Sequence, residues 1–76
     1  MRYFVDILLP LPLDNLFTYS ITQSESKVLQ PGMRVVVPFG KSKMYTGFVM
    51  NVHQIPPTTY QAKEIEFIID VNAVKG

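Results

Sequence analysis

Pro10, Pro12, Pro31-Gly32, Pro38, Gly40, Gly47 and Pro56-Pro57 divide this chain into short pieces, and no long piece repeats its apolar residues at the 3.6 spacing of a helix. What remains between the breaks is β-rich. Arg2 to Leu9 reads as a first, mostly apolar strand, and Pro10-Leu-Pro-Leu-Asp-Asn15 as the rigid turn after it, where two prolines remove backbone donors. Leu16 to Ile21 pairs back on it, with Phe17, Tyr19 and Ile21 on one face and Leu16, Thr18 and Ser20 on the other. Thr22 to Leu29 is polar and reads as a loop. Met33 to Pro38 is a third strand and Met44 to His53 a fourth, joined through Phe39-Gly-Lys-Ser-Lys43, whose glycine supplies the positive φ of the reversal. Gly47 within the fourth strand signals a bulge or bend that curls the sheet. Ile55 to Thr59 is a stiff loop. Ala62 to Val71 is the fifth strand, with Ile65, Phe67, Ile69 and Val71 on one face and Glu64, Glu66, Ile68 and Asp70 on the other.

Five short strands in 76 residues are too few for two full sheets. The expected fold is all-β, a small five-stranded, partly open barrel resembling an OB-fold, which limits the exposed edges. The length holds one domain, residues 1–76. With no cysteine, disulfide bonds and thiolate chemistry are excluded. The run Phe4 to Leu13 is apolar, but Asp6 interrupts it, Pro10 and Pro12 break any helix, and no small-residue cleavage site follows, so it reads as a buried strand and not as a signal sequence. No apolar stretch reaches the roughly 20 residues of a membrane helix, and a cytoplasmic protein with no membrane partner is expected. The last residues, Val74-Lys-Gly76, carry no cap, and the chain reads as part of something longer.

Charge is distributed unevenly. Residues 26–63 hold Lys27, Arg34, Lys41, Lys43 and Lys63 and no carboxylate, while the whole chain is only +1. A local basic patch on a hairpin turn with a Phe-Gly pair suits a polyanion with exposed bases over a small footprint.

The runs Leu9-Pro-Leu-Pro-Leu13, Leu16-Phe-Thr-Tyr19, Pro31-Gly-Met-Arg-Val-Val-Val-Pro-Phe-Gly-Lys41, Lys63-Glu-Ile65 and Ile69-Asp70 resemble the N-terminal domain of primosomal protein N′, the replication-restart DNA helicase PriA. The resemblance covers nearly the whole chain. It implies an OB-like barrel that binds the 3′ end of the nascent leading strand, as single-stranded DNA, at stalled forks. It also implies further partners: the remaining helicase domains of a longer parent, and other primosome or single-strand-binding proteins. ATP and zinc are implied for those absent parts and no cofactor for this fragment, which contains no Gly-x-x-x-x-Gly-Lys-Ser/Thr phosphate loop. The fragment is expected to bind and not to catalyse.

Carried onto this sequence, the terminal-nucleotide pocket falls on Phe17, Thr18, Gly40 and Lys63; separately, the acid-free basic stretch offers Lys41 and Lys43 as rim contacts to phosphate. Such a set suits an end reader that must accept any base: main-chain groups, an apolar surface and a phosphate-directed cation carry no sequence code. Where the family commonly has aspartate after the phenylalanine, this chain has Thr18, a neutral and weaker acceptor for a 3′-hydroxyl and one without charge to repel a 3′-phosphate.

Other residues read more plainly. Arg34 can pair with a carboxylate across the sheet; His53, the single histidine, is structural or exposed; Asp6, Glu64, Glu66 and Asp70 are solvent-face charges. Tyr45 and Tyr60 flank the basic loop, as packing residues or as a stack for a second base. A competing function is that of a protein-interaction or structural module packing against the helicase core through its apolar surface.

Overall fold

A computed structural model describes residues 1–12 and 15–70. The expected turn at Leu13-Asp14 and the expected ends at Val71 and Val74–Gly76 lie outside the described residues. Five strands form one antiparallel sheet in the order β2-β1-β4-β3-β5. They are β1 (Tyr3–Leu8), β2 (Leu16–Ile21), β3 (Arg34–Phe39), β4 (Lys43–His53) and β5 (Phe67–Ile68), with one helix, α1 (Gln23–Val28), after β2.

Alternation sets the faces. Val5 and Ile7 of β1, Val35 and Val37 of β3 and Val49 of β4 are fully buried and point into the curl of the sheet, where Tyr19, Ile21, Leu29 and Ile65 join them. Phe4 is also fully buried but belongs to the opposite face, covered by the His53 ring at 6.2 Å and by the Arg2 guanidinium at 5.0 Å from its centroid.

The bulge is not at Gly47. The register between β1 and β4 jumps from Asp6↔Asn51 to Ile7↔Val49, so Met50 is the extra residue, while Gly47 pairs in register with Val35. Gly47 serves a close crossing instead: a Cβ there would lie 2.8 Å from the Leu8 carbonyl oxygen and 2.9 Å from Leu9 Cδ2. Only hydrogen fits between the two strands at the bend.

Two expectations are corrected. The polar stretch 22–29 is not a loop but contains α1, because Thr22 and Glu25 form a reciprocal capping box: Glu25 N donates to Thr22 Oγ1 at 3.1 Å and Thr22 N to Glu25 Oε1 at 2.8 Å. The fifth strand is two residues long, and its supposed inner face breaks, with Ile65 buried but Phe67 exposed. The segment leans on both edges of the sheet rather than running along one. Ser20 N donates to the Lys63 carbonyl at 2.8 Å beside a parallel bridge between Ser20 and Glu64, and further on Glu66 N donates to the Val36 carbonyl at 2.8 Å. The five-stranded sheet is thereby drawn into a partly open barrel. No described helix is long and apolar enough to cross a membrane.

Candidate nucleic-acid interface

Where residues 60–63 run along the edge of β2, facing the tail of β3, they help to line an open cavity of about 230 Å³. β2 contributes Phe17, Thr18 and Tyr19, the end of β3 contributes Pro38 and Phe39, the turn contributes Gly40, and the crossing segment contributes Tyr60, Gln61 and Lys63. The four residues expected at a terminal pocket, Phe17, Thr18, Gly40 and Lys63, therefore line one space. Gly40 has φ +70°, the left-handed conformation that aims its carbonyl at the incoming Lys63, whose Nζ donates to it at 3.0 Å. An ammonium has three donors, so two remain for another acceptor.

The walls are apolar and stiff. Phe17 packs edge-on to Phe39 at 5.1 Å, and Phe39 edge-on to Tyr45 at 5.7 Å, so Phe39 is wedged between two rings. Tyr19 Oη donates to the Pro38 carbonyl at 2.8 Å, tying β2 to the end of β3. Burial, with a smaller contribution from the neighbouring Tyr60 phenol, pushes the Tyr19 hydroxyl up to about 12. It stays a donor.

Thr18 is held from two directions. Its backbone N–H, which faces away from β1 on this edge strand, donates to Tyr60 Oη at 2.9 Å. Its hydroxyl donates to Asp6 Oδ1 at 2.7 Å, across the pair Asp6↔Thr18. The same carboxylate oxygen lies 2.8 Å from His53 Nε2, and His53 Nδ1 accepts from Ile55 N at 3.0 Å. Since Nδ1 is an acceptor, the imidazole proton sits on Nε2 and is donated to Asp6, a hydrogen bond from a neutral ring. Asp6 is thus not a solvent-face charge. Because the Thr18 hydroxyl has one proton and Asp6 takes it, the oxygen is left as an acceptor toward any other partner, polarised by the carboxylate behind it.

Of the remaining cations, Lys41 sits on the hairpin turn and Lys43 at the start of β4, both exposed and outside the cavity lining. Arg34 is at the far end of β3, where Nε and Nη2 donate to the two oxygens of Asp70 at 2.9 and 2.7 Å. That clasp raises the Arg34 guanidinium above its ordinary value and holds the Asp70 carboxyl below its own.

Pro38, Tyr19 and Gln61 were not anticipated as lining, nor was the Asp6–His53 support of Thr18. A charged residue inside an apolar strand was the available signal for Asp6, since such a group needs a partner. Nothing comparable marks Gln61, which reaches the cavity only because the chain crosses there.

A cavity with ring walls and one ammonium, beside a threonine backed by a carboxylate, on the edge of a partly open barrel, belongs to a small binding module. The family model of the PriA 3′ DNA-binding domain (3′BD) matches residues 6–75, and the chain belongs to that family. It is a DNA-binding module of the primosome that takes DNA 3′ ends, and as a binding domain it is not itself catalytic. Comparison with curated proteins and with solved structures gives no match.

Proposed function

We propose that the cavity between β2 and the β3–β4 turn receives the 3′-terminal nucleotide of single-stranded DNA, and that in a longer parent this helps a replication-restart helicase recognise the nascent leading strand at a stalled fork. The single observation that carries the reading is that Phe17, Thr18, Gly40 and Lys63 line one space, with the Lys63 ammonium against the Gly40 carbonyl. At about 230 Å³ that space is below the roughly 300–1,000 Å³ typical of pockets for drug-sized ligands, in keeping with one nucleotide end and not a longer stretch.

Each group has a role. The Phe17–Phe39 wall takes the base without reading its edge, so any base is accepted. Lys63 meets the phosphate on the 5′ side of the last sugar. Thr18 accepts from the 3′-hydroxyl, and the Asp6 charge behind it opposes a 3′-phosphate, so the pair supplies between them what a single aspartate would supply. Lys41 and Lys43 attract phosphates from the rim. The parent would be an ATP-dependent, zinc-containing cytoplasmic helicase, with those features in parts other than this domain.

Fluorescence anisotropy with short oligonucleotides tests the assignment. Strands ending in a 3′-hydroxyl should bind more tightly than strands ending in a 3′-phosphate, and a circular strand should bind weakest. Equal affinity for all three would reject end recognition. Asp6→Asn should narrow the preference for hydroxyl over phosphate while leaving total affinity for the hydroxyl strand within a few fold.

A second reading, a protein-interaction module, draws on one observation: Leu16, Met44, Phe48 and Phe67 are each about half exposed or more, on the outer side of the sheet. Under that reading Lys63→Ala and Lys41→Ala leave partner binding intact and no oligonucleotide competes.

A further inference from the structure

We propose a second nucleotide subsite beside the terminal cavity, in the groove between Arg2 and residues 56–62, where the penultimate nucleotide stacks on Tyr60 and its phosphate meets Arg2. The proposal rests on the terminal-pocket reading and extends it by one unit of the strand. The groove has a volume of about 500 Å³, roughly twice that of the terminal cavity, and Tyr60 and Gln61 line both, so the two spaces are neighbours that share one residue pair.

Its chemistry fits a nucleotide. The other lining residues are Arg2, Thr58, Thr59, the two prolines and Ala62: one cation, neutral hydroxyl groups and no carboxylate. Tyr60 is 44% exposed, yet its hydroxyl is fixed by the Thr18 N–H at 2.9 Å, so the ring is presented to solvent with little freedom to lose on stacking. Arg2 lies over the Phe4 ring at 5.0 Å, a cation–π seat that leaves the in-plane N–H groups of the guanidinium free for phosphate oxygens. Pro56 and Pro57 stiffen the far wall. Lys41 and Lys43 line neither space.

The test compares 5′-phosphorylated deoxythymidine ligands of one and two nucleotides, each with a free 3′-hydroxyl, by calorimetric titration of the 76-residue chain, with circular dichroism to check the fold of each variant. The second nucleotide should add about tenfold in affinity, within the range for one stacked base. Tyr60→Phe, which keeps the ring but loses its anchor to Thr18, should keep most of that gain, and Tyr60→Ala should lose it. Arg2→Ala should lower dinucleotide affinity and reduce the logarithmic salt slope by roughly 0.7, one phosphate's worth on a single strand, with mononucleotide affinity unchanged; Arg2→Lys should restore most of the slope. Equal affinity for one and two nucleotides, or an Arg2→Ala variant that binds the dinucleotide as the unaltered chain does, would overturn the subsite. If Lys63→Ala leaves mononucleotide binding untouched, the terminal pocket itself fails, and the subsite with it.

Discussion

Arg34 and Lys63 stand at opposite ends of β3, and the fold treats their charges in opposite ways. Arg34, at the head of the strand, is met by both oxygens of Asp70, and the pair is close to neutral from any distance. Lys63, past the tail, is met by the Gly40 carbonyl, a dipole that orients the ammonium without cancelling it. Both cations belong to the same acid-free window of sequence. The difference teaches that a window without carboxylates is not a region without carboxylates, because β5 returns Asp70 to Arg34 while the crossing segment carries Lys63 to a place where the nearest acceptor is backbone.

Reversing the free charge should have the largest effect. Lys63→Glu should weaken binding of a 3′-hydroxyl oligonucleotide by tens- to a hundredfold, the scale of losing a charge-assisted hydrogen bond, whereas Arg34→Ala should change it less than about threefold, as a pair already neutralised contributes little. Anisotropy titrations of the two variants side by side would break the comparison if they fell equally.

The next effect is on the cavity wall. Tyr19 holds its proton to a higher pH in the folded chain than the ordinary tyrosine value of 10.0, so the folded state binds that proton more tightly and loses stability as pH climbs from 10 toward about 12. Urea unfolding across that interval should show a decline on the order of 2 kcal/mol, absent in Tyr19→Phe.

At the other end of the pH scale the Arg34–Asp70 clasp is the sensitive element. Asp70 is held below its ordinary value of 3.8, so its contribution is complete above that value and is lost as pH falls through the lower, folded-state value. The contribution of a solvent-exposed pair is small. Urea midpoints of the unaltered chain and of Asp70→Asn should therefore differ slightly at pH 6 and converge in strong acid, while the Lys63–Gly40 contact, having no titrating acceptor, sets no such limit. Smallest of all, Lys41→Ala or Lys43→Ala should each reduce the salt slope of oligonucleotide binding by at most roughly 0.7, with no effect on stability.

The local residues already determined a good deal. Alternation in β1 to β4, the positive-φ glycine at 40 and the β1–β2 hairpin follow from steric and turn chemistry within a few residues, and those are read directly from neighbours in sequence. The helix at 23–28 was equally local, written in the Thr22–Glu25 capping box and obscured by the polarity of the stretch around it. The resemblance carried Phe17, Thr18, Gly40 and Lys63 as a set, though residues so far apart in the chain have no local reason to meet.

What tertiary structure alone decided is how distant segments were spent. The last described stretch, 60–70, divides itself between two sheet edges, which leaves Phe67 outside, brings Tyr60 to Thr18 and Lys63 to Gly40, and sends Asp70 to Arg34. It also sets Asp6 behind Thr18, through a hairpin register that the strands' own alternation does not specify to the residue. The physical reason is range: propensity and turn geometry act over a few residues, whereas the sign and exposure of a charge depend on which carboxylate or carbonyl the folded chain places within hydrogen-bond reach.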